Sequence, residues 1–427
     1  ITKWNAAISS PEVVSEVVRR AFKVAESEKP GATHVELSED VAKMESAHQP
    51  IAVYRVRRPD PDQQALREAV SLVTRANKPL VLAGNGAVRQ PASDQLRELV
   101  GRCHIPIAHT FMGQGAVSDD SPESLQTIGM GFRDVVMDAV DQAELIVTVG
   151  YDLAEYAPDK WNPTMDKRII HIDFTPAEVY THYQPVVEIV ADIPATLREL
   201  NERLAATSCA FDPSWYVPIR DRIRADINSY DLVESKPFTV PGVLNLLRAI
   251  MGDDDLLISD VGSHKMWIAR NFPTRCPNGC LMSNGLASMG FALPGGIAAA
   301  LHNPKQRIVA AMGDGGFLMN SQELETAKRL GVAFTVIVFN DNDYGLISWK
   351  QQMTRGRSTG TRLTNPDFKA YAESFGIKGY RPQTLAELKR QLREAVTSGE
   401  LCVIEIPIDP SVNVELIRRL HAAPRTG

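Results

Sequence analysis

A chain of 427 residues with 44% hydrophobic and 23% charged residues has ordinary globular composition, which excludes a mostly disordered, collagenous or coiled-coil protein. Its formal net charge of −6 argues against a nucleic-acid binder, and its longest apolar runs, such as Leu80–Ala83 and Phe334–Phe339, are strand-sized, which argues against a membrane span. Single cores stop growing at about 250–300 residues, so at least two domains are expected; no signal peptide is visible, and five cysteines suit a reducing compartment, read as the cytoplasm.

In chain order, residues 11–26 carry apolar positions at helical spacing with Pro11 in the first turn, Pro30-Gly31 reads as a turn, and Ala32–Ser38 as a strand. The stretch 42–62, with Pro50, Pro59 and Pro61, reads as a linker. A helix over 65–77, a strand at Pro79–Gly84, a helix over 92–102 and a strand at Ile105–Thr110 follow; then come strands at Glu144–Gly150 and Arg168–Phe174 and a helix over 194–204. Residues 208–218 break the periodicity and read as part of a second linker. A second alternating block has a helix over 241–251, a strand at Leu256–Gly262, a Gly/Ala-rich helix after Pro294, a strand at Arg307–Met312, a helix over 321–330, a strand at Ala333–Asn340, a helix over 366–375 and a strand at Cys402–Ile408. Helices alternating with continuous apolar strands predict an α/β protein with two doubly wound parallel-sheet domains. The expected division is a remnant of a third domain at 1–41, linkers at 42–62 and 206–238, a Rossmann-like domain at 63–205 and a second domain at 239–427.

The richest stretch is Arg307–Trp349. One strand runs into Gly313-Asp314-Gly315-Gly316; Asn320 and Glu323 then read as a capping box, and Gly331 closes the helix. The next strand ends at Asn340-Asp341-Asn342-Asp343-Tyr344-Gly345. In a right-handed βαβ unit the carboxyl ends of both strands share one sheet edge, so Asp314 and Asp341 meet there. Two such carboxylates repel unless a cation lies between them, while glycines at a helix start favour a phosphate. Mg²⁺ bridging protein and diphosphate satisfies both; a tight turn with solvated acids is the alternative.

The run Gly313–Asp341, together with Ser259–Trp267 (SDVGSHKMW) and Ser283–Pro294 (SNGLASMGFALP), resembles the thiamine diphosphate-dependent acetolactate synthases. The resemblance implies that Asp314 and Asp341 are side-chain ligands of Mg²⁺, with Asp343 offering its backbone carbonyl. Ser263, His264, Gly315 and Gly316 match positions near the diphosphate. Ala287 falls where backbone meets the aminopyrimidine, and Met289 matches the apolar wedge that holds the cofactor bent. Gly262, Gly313, Tyr344, Gly345 and Leu346 complete the cofactor-binding set. The substrate implied is pyruvate or another 2-oxo acid, and the reaction is condensation of two pyruvates to 2-acetolactate and CO₂. A homodimer or homotetramer with sites at the dimer interface is implied as well. A pyruvate oxidase, a 2-oxo acid decarboxylase, a glyoxylate carboligase and a non-catalytic cofactor-binding module are alternatives on the same scaffold.

Within that family the chain is similar to the catabolic, FAD-independent group. The biosynthetic group carries an Arg-Phe-Asp-Asp-Arg-like run where this chain has Tyr151-Asp152-Leu153-Ala154-Glu155, so FAD is not expected. The ending Pro366–Gly376 points the same way. Lys350 stands where the biosynthetic group places a Trp, with Trp349 one residue early, and neither is assigned a role. Residues 1–41 resemble only the last helix and strand of the family's pyrimidine-binding domain, whose catalytic Glu has no match here; Glu36 and Glu39 lie in the wrong element. The chain alone is therefore expected to be incomplete for catalysis. Gly84-Asn85-Gly86 lacks the third glycine and following acid of a dinucleotide fingerprint. Gly113 and Gly115 read as a turn, Cys276 and Cys280 lack a second ligand pair for zinc, and Arg355-Gly356-Arg357 reads as a solvated loop.

Overall fold

The computed structural model describes residues 1–54, 57–89, 91–130, 134–207, 209–234 and 237–413. Residues 55–56, 208 and 235–236 of the two expected linkers, and 414–427 of the last expected domain, lie outside the described residues.

Two six-stranded parallel sheets carry most of the chain. The first runs, in spatial order, Ser124–Thr127, Ile107–His109, Pro79–Ala83, Leu145–Val149, Arg168–Asp173 and Val187–Val190. This is the doubly wound arrangement, whose strand order reverses between Pro79–Ala83 and Leu145–Val149. The second runs Cys280–Met282, Leu256–Ser259, Ile308–Gly313, Thr335–Asn340, Cys402–Pro407 and Lys378–Tyr380, with its reversal between Leu256–Ser259 and Ile308–Gly313.

The continuous apolar strands work as expected for sheets covered on both faces. In the second sheet, Val309, Ala311, Ile337 and Ile404 feed the core beneath the helices Val240–Ile250 and Leu385–Thr397. The alternate residues Ile308, Ala310, Val336 and Val403 feed the other core, with Leu293, Phe317 and Phe368. The first sheet divides in the same way, Val81 and Val147 to one side and Leu80 and Ile146 to the other. Among the described residues no helix is long and apolar enough to cross a membrane.

Several elements differ from the sequence reading. Trp4–Ile8 is a strand, paired in parallel with Thr33–Leu37 across the helix Val14–Glu26. The stretch expected as a linker contains the helix Val217–Ile227, whose Ile219, Ile223 and Ile227 reach the core of the first sheet. Its charged residues, spaced Arg220-Asp221-Arg222 and Arg224, dilute the apolar stripe to every fourth position. The capping box is corrected too. The helix after Gly313 begins at once and spans Asp314–Asn320, so Asn320 ends a helix and donates its Nδ2 to Gly290 O at 2.8 Å. The next helix, Glu323–Arg329, has no side-chain cap, and Gly331 closes it at φ +65°. Glu36 lies in the strand Thr33–Leu37 and Glu39 in the helix Glu39–Ala42, both exposed.

Candidate active site at the carboxyl edge of the second sheet

Ligands of open α/β sheets settle outside the carboxyl ends of the strands, where the strand order reverses. A cavity of ≈ 200 Å³ lies there. The strand Leu256–Ser259 delivers Gly262, Ser263 and His264 to it, and Ile308–Gly313 delivers Gly313, Asp314, Gly315 and Gly316. Asp341, Asp343, Tyr344, Gly345 and Leu346 follow the strand Thr335–Asn340. Ala287 and Met289 enter from the loop after Cys280–Met282. Every residue singled out from the sequence for cofactor or metal thus borders one cavity, joined by Val261, Phe339, Ile347 and Ile408. Trp349 is buried and Lys350 exposed, and neither lines it.

Two helices that the sequence reading missed begin at this cavity, Ser263–Asn271 and Gly345–Arg355. The positive dipole end of each helix therefore lies at the cavity, which favours an anion. Asp314, 1% exposed, accepts from Gly315 N at 2.8 Å and from Asn365 Nδ2 at 2.6 Å. Burial raises its pKa. Asp341 accepts from Asp343 N at 3.2 Å, and burial together with the nearby Asp314 carboxylate pushes it up to about 7. Two acids desolvated by burial that resist ionising together are the electrostatic setting a divalent cation relieves.

His264 is 2% exposed, burial pushes its pKa down to about 3, and its Nε2 has no hydrogen-bond partner. Asp343 Oδ1 is likewise buried without one. These orphaned groups and the donor chemistry fit a diphosphate held through a hard cation. Among the described residues no three His, Cys, Asp or Glu side chains form a metal-holding group. Two carboxylates and a carbonyl suit Mg²⁺, which takes its other oxygens from water and substrate phosphates.

The loop 283–291 carrying Ala287 and Met289 is clamped from several sides. Asp260, fully buried, accepts from Gly290 N at 3.0 Å and Phe291 N at 3.1 Å. Lys265 donates its Nζ to Ser283 O at 2.9 Å and Asn284 Oδ1 at 2.7 Å. Ala287 itself sits at φ +49°, in the left-handed region. Asp260 and Lys265 stand in the Ser259–Trp267 motif without a role legible there; Asp260 leaves a strand's carboxyl end just as Asp314 does, which is the signal that marks it. The decoys resolve as structure. Burial raises both the Cys276 and Cys280 thiols, which disfavours zinc-binding thiolate, and Arg355 ends a helix whose Gly356 takes φ +69°.

Comparison with known proteins matches residues 66–200 to the central domain of thiamine pyrophosphate enzymes and residues 260–406 to their C-terminal, thiamine pyrophosphate-binding domain. A probable acetolactate synthase large subunit of Methanocaldococcus jannaschii is 30% identical over 98% of this chain and 73% of its own length. The acetolactate synthase of Bacillus subtilis is 30% identical over 97% of the chain and 74% of its own length. The catabolic acetolactate synthase of Raoultella terrigena is 30% identical over 99% and 76%. With the sheet order, the cavity and these matches together, the chain belongs to the acetolactate synthase family of thiamine pyrophosphate enzymes.

Proposed function

We propose that this enzyme condenses two pyruvate molecules to 2-acetolactate. One pyruvate loses its carboxylate as CO₂, its remaining two-carbon unit bonds to the carbonyl carbon of the second, and a proton ends on the new tertiary hydroxyl. Thiamine diphosphate, when bound, supplies the sink for the electron pair left by CO₂. The observation that carries this reading is the convergence of Asp314, Asp341 and the loop of Ala287 and Met289 on one cavity at the reversal of the second sheet.

In this reading the carboxylates of Asp314 and Asp341 and the carbonyl of Asp343 would hold Mg²⁺, which would neutralise the diphosphate charge. Ser263 and the neutral His264 imidazole would help bind the diphosphate, and Met289 would give the cofactor apolar support. The chain's own work is orientation and exclusion of water. Ile347 at the cavity and the 91% exposed Leu286 beside it offer apolar surface to a second copy, which supports a homodimer or homotetramer.

The reading includes no flavin. At the reversal of the first sheet, a Cβ on Gly84 would lie 2.5 Å from Gly150 O and one on Gly86 2.6 Å from Gly150 Cα, so these glycines serve close backbone packing. The Glu155 carboxylate accepts from Asn85 N and Met112 N, both at 3.1 Å, and from the Thr110 hydroxyl. An internal carboxylate therefore takes the N–H donors that a pyrophosphate would use in such a crevice.

Holoenzyme in which this chain is joined to a pyrimidine-binding domain, given pyruvate, should form a product that acid converts to acetoin, read by a colorimetric assay. Release of CO₂ without that product would overturn the carboligation in favour of a decarboxylase.

A further inference from the structure

The segment Thr361–Asn365 lies across the loop that carries Asp341 and Asp343. Tyr344 N donates to Thr361 O and Leu363 N to Asn342 O, both at 2.9 Å, with Asp343 and Arg362 paired antiparallel. This strap brings the Asn365 amide beneath the cavity. Its Nδ2 lies 2.6 Å from Asp314 Oδ2, 2.9 Å from Asn340 Oδ1 and 3.2 Å from Asn342 Oδ1. All three neighbours are acceptors, so the network settles which end of the amide faces them.

The support continues into the sheet. Asn340 donates its Nδ2 to Glu405 Oε1 at 2.8 Å, and Glu405, 0% exposed on the adjacent strand, accepts from Phe368 N at 3.2 Å. Arg381 Nε lies 3.4 Å from the same carboxylate. A buried acid thus orients Asn340, whose carbonyl oxygen receives Asn365. Asp314 accepts from Gly315 N on one oxygen and from Asn365 Nδ2 on the other, and the Asn342 and Asp343 N–H groups also act on it. The two shortest of these bonds, from opposite sides, fix the carboxylate's rotamer.

We propose that Asn365 is a positioning residue that fixes the Asp314 carboxylate for Mg²⁺, braced through Asn340 by Glu405. This rests on Asp314 being a metal ligand. Groups that hydrogen-bond a ligand rather than the ion typically contribute about 10–100-fold in metal affinity. The probe is Mn²⁺ in the presence of saturating thiamine diphosphate, with the free ion counted by electron paramagnetic resonance. Asn365→Ala is expected to weaken Mn²⁺ by about 10–100-fold, at a temperature well below the melting of the metal-free protein. Asn365→Ser, whose hydroxyl is too short to reach Asp314, is expected to do the same and is read if the alanine variant does not fold. A purely structural role would lower the metal-free melting temperature and leave affinity intact. Mn²⁺ binding within twofold of wild type in a folded variant overturns the positioning role alone. Wild-type protein that takes up no Mn²⁺ overturns the metal site, and the positioning role with it.

Discussion

Replacing Gly316 with alanine should unhinge the loop of Ala287 and Met289 without touching either residue. A Cβ at position 316 would lie 2.3 Å from Asp260 Oδ2, far inside van der Waals contact. Asp260 is fully buried and already engaged by Gly290 N and Phe291 N, so it has nowhere to retreat. Overpacking of this kind costs about 1–3 kcal/mol. Weakening a hydrogen bond to a charged group costs about 1.5–3 kcal/mol more. Alanine's better helix propensity returns at most about 1 kcal/mol. A net loss of about 1.5–5 kcal/mol follows, read by urea unfolding followed by circular dichroism. Gly101→Ala is the control, because nothing lies within 4 Å of its added Cβ in the helix Ser93–Cys103. It should gain about 0.5–1 kcal/mol. If Gly316→Ala proves as stable as Gly101→Ala, the packing of Asp260 against Gly316 in the helix Asp314–Asn320 is refuted.

Burial pushes Lys265 down to about 8, with Lys350 adding to the effect. The unfolded chain then binds more protons than the folded one between about pH 8 and the ordinary lysine value, so stability contributed through this group rises with pH there. Lys265→Met should remove that rise, seen as a wild-type-minus-variant difference in unfolding free energy that grows from pH 8 to 10; a flat difference would contradict the burial argument. Because Glu155 occupies the crevice of the first sheet, purified protein should show no flavin absorption band, and a band near stoichiometric occupancy would overturn the FAD-independent reading.

The fold was legible wherever strands were continuous and apolar. Thr335–Asn340 and Leu145–Val149 are buried at every position, and no polar alternation competes with the signal. Short edge elements were not legible: Val187–Val190 alternates buried with exposed over four residues, and Ser124–Thr127 has one aliphatic residue. Around the cavity, Asp314 and Asp341 stood out because each follows a strand in a glycine- or acid-rich turn. Asn365 could not, since its role depends on a strap folding back over a loop more than twenty positions earlier in the chain, and irregular backbone has no period to read. The helix Ser263–Asn271 was missed for another reason. It is buried on all sides, so its sequence carries no amphipathic stripe.

Cofactor binding here turns on whether Asp314 and Asp341 hold a divalent cation against a diphosphate. Calorimetry with thiamine diphosphate, with and without Mg²⁺, on wild type and Asp314→Ala tests this most directly. The account predicts binding in wild type that depends on Mg²⁺, and loss of that binding in the variant. Equal affinity in both proteins, or wild-type affinity indifferent to Mg²⁺, would contradict it.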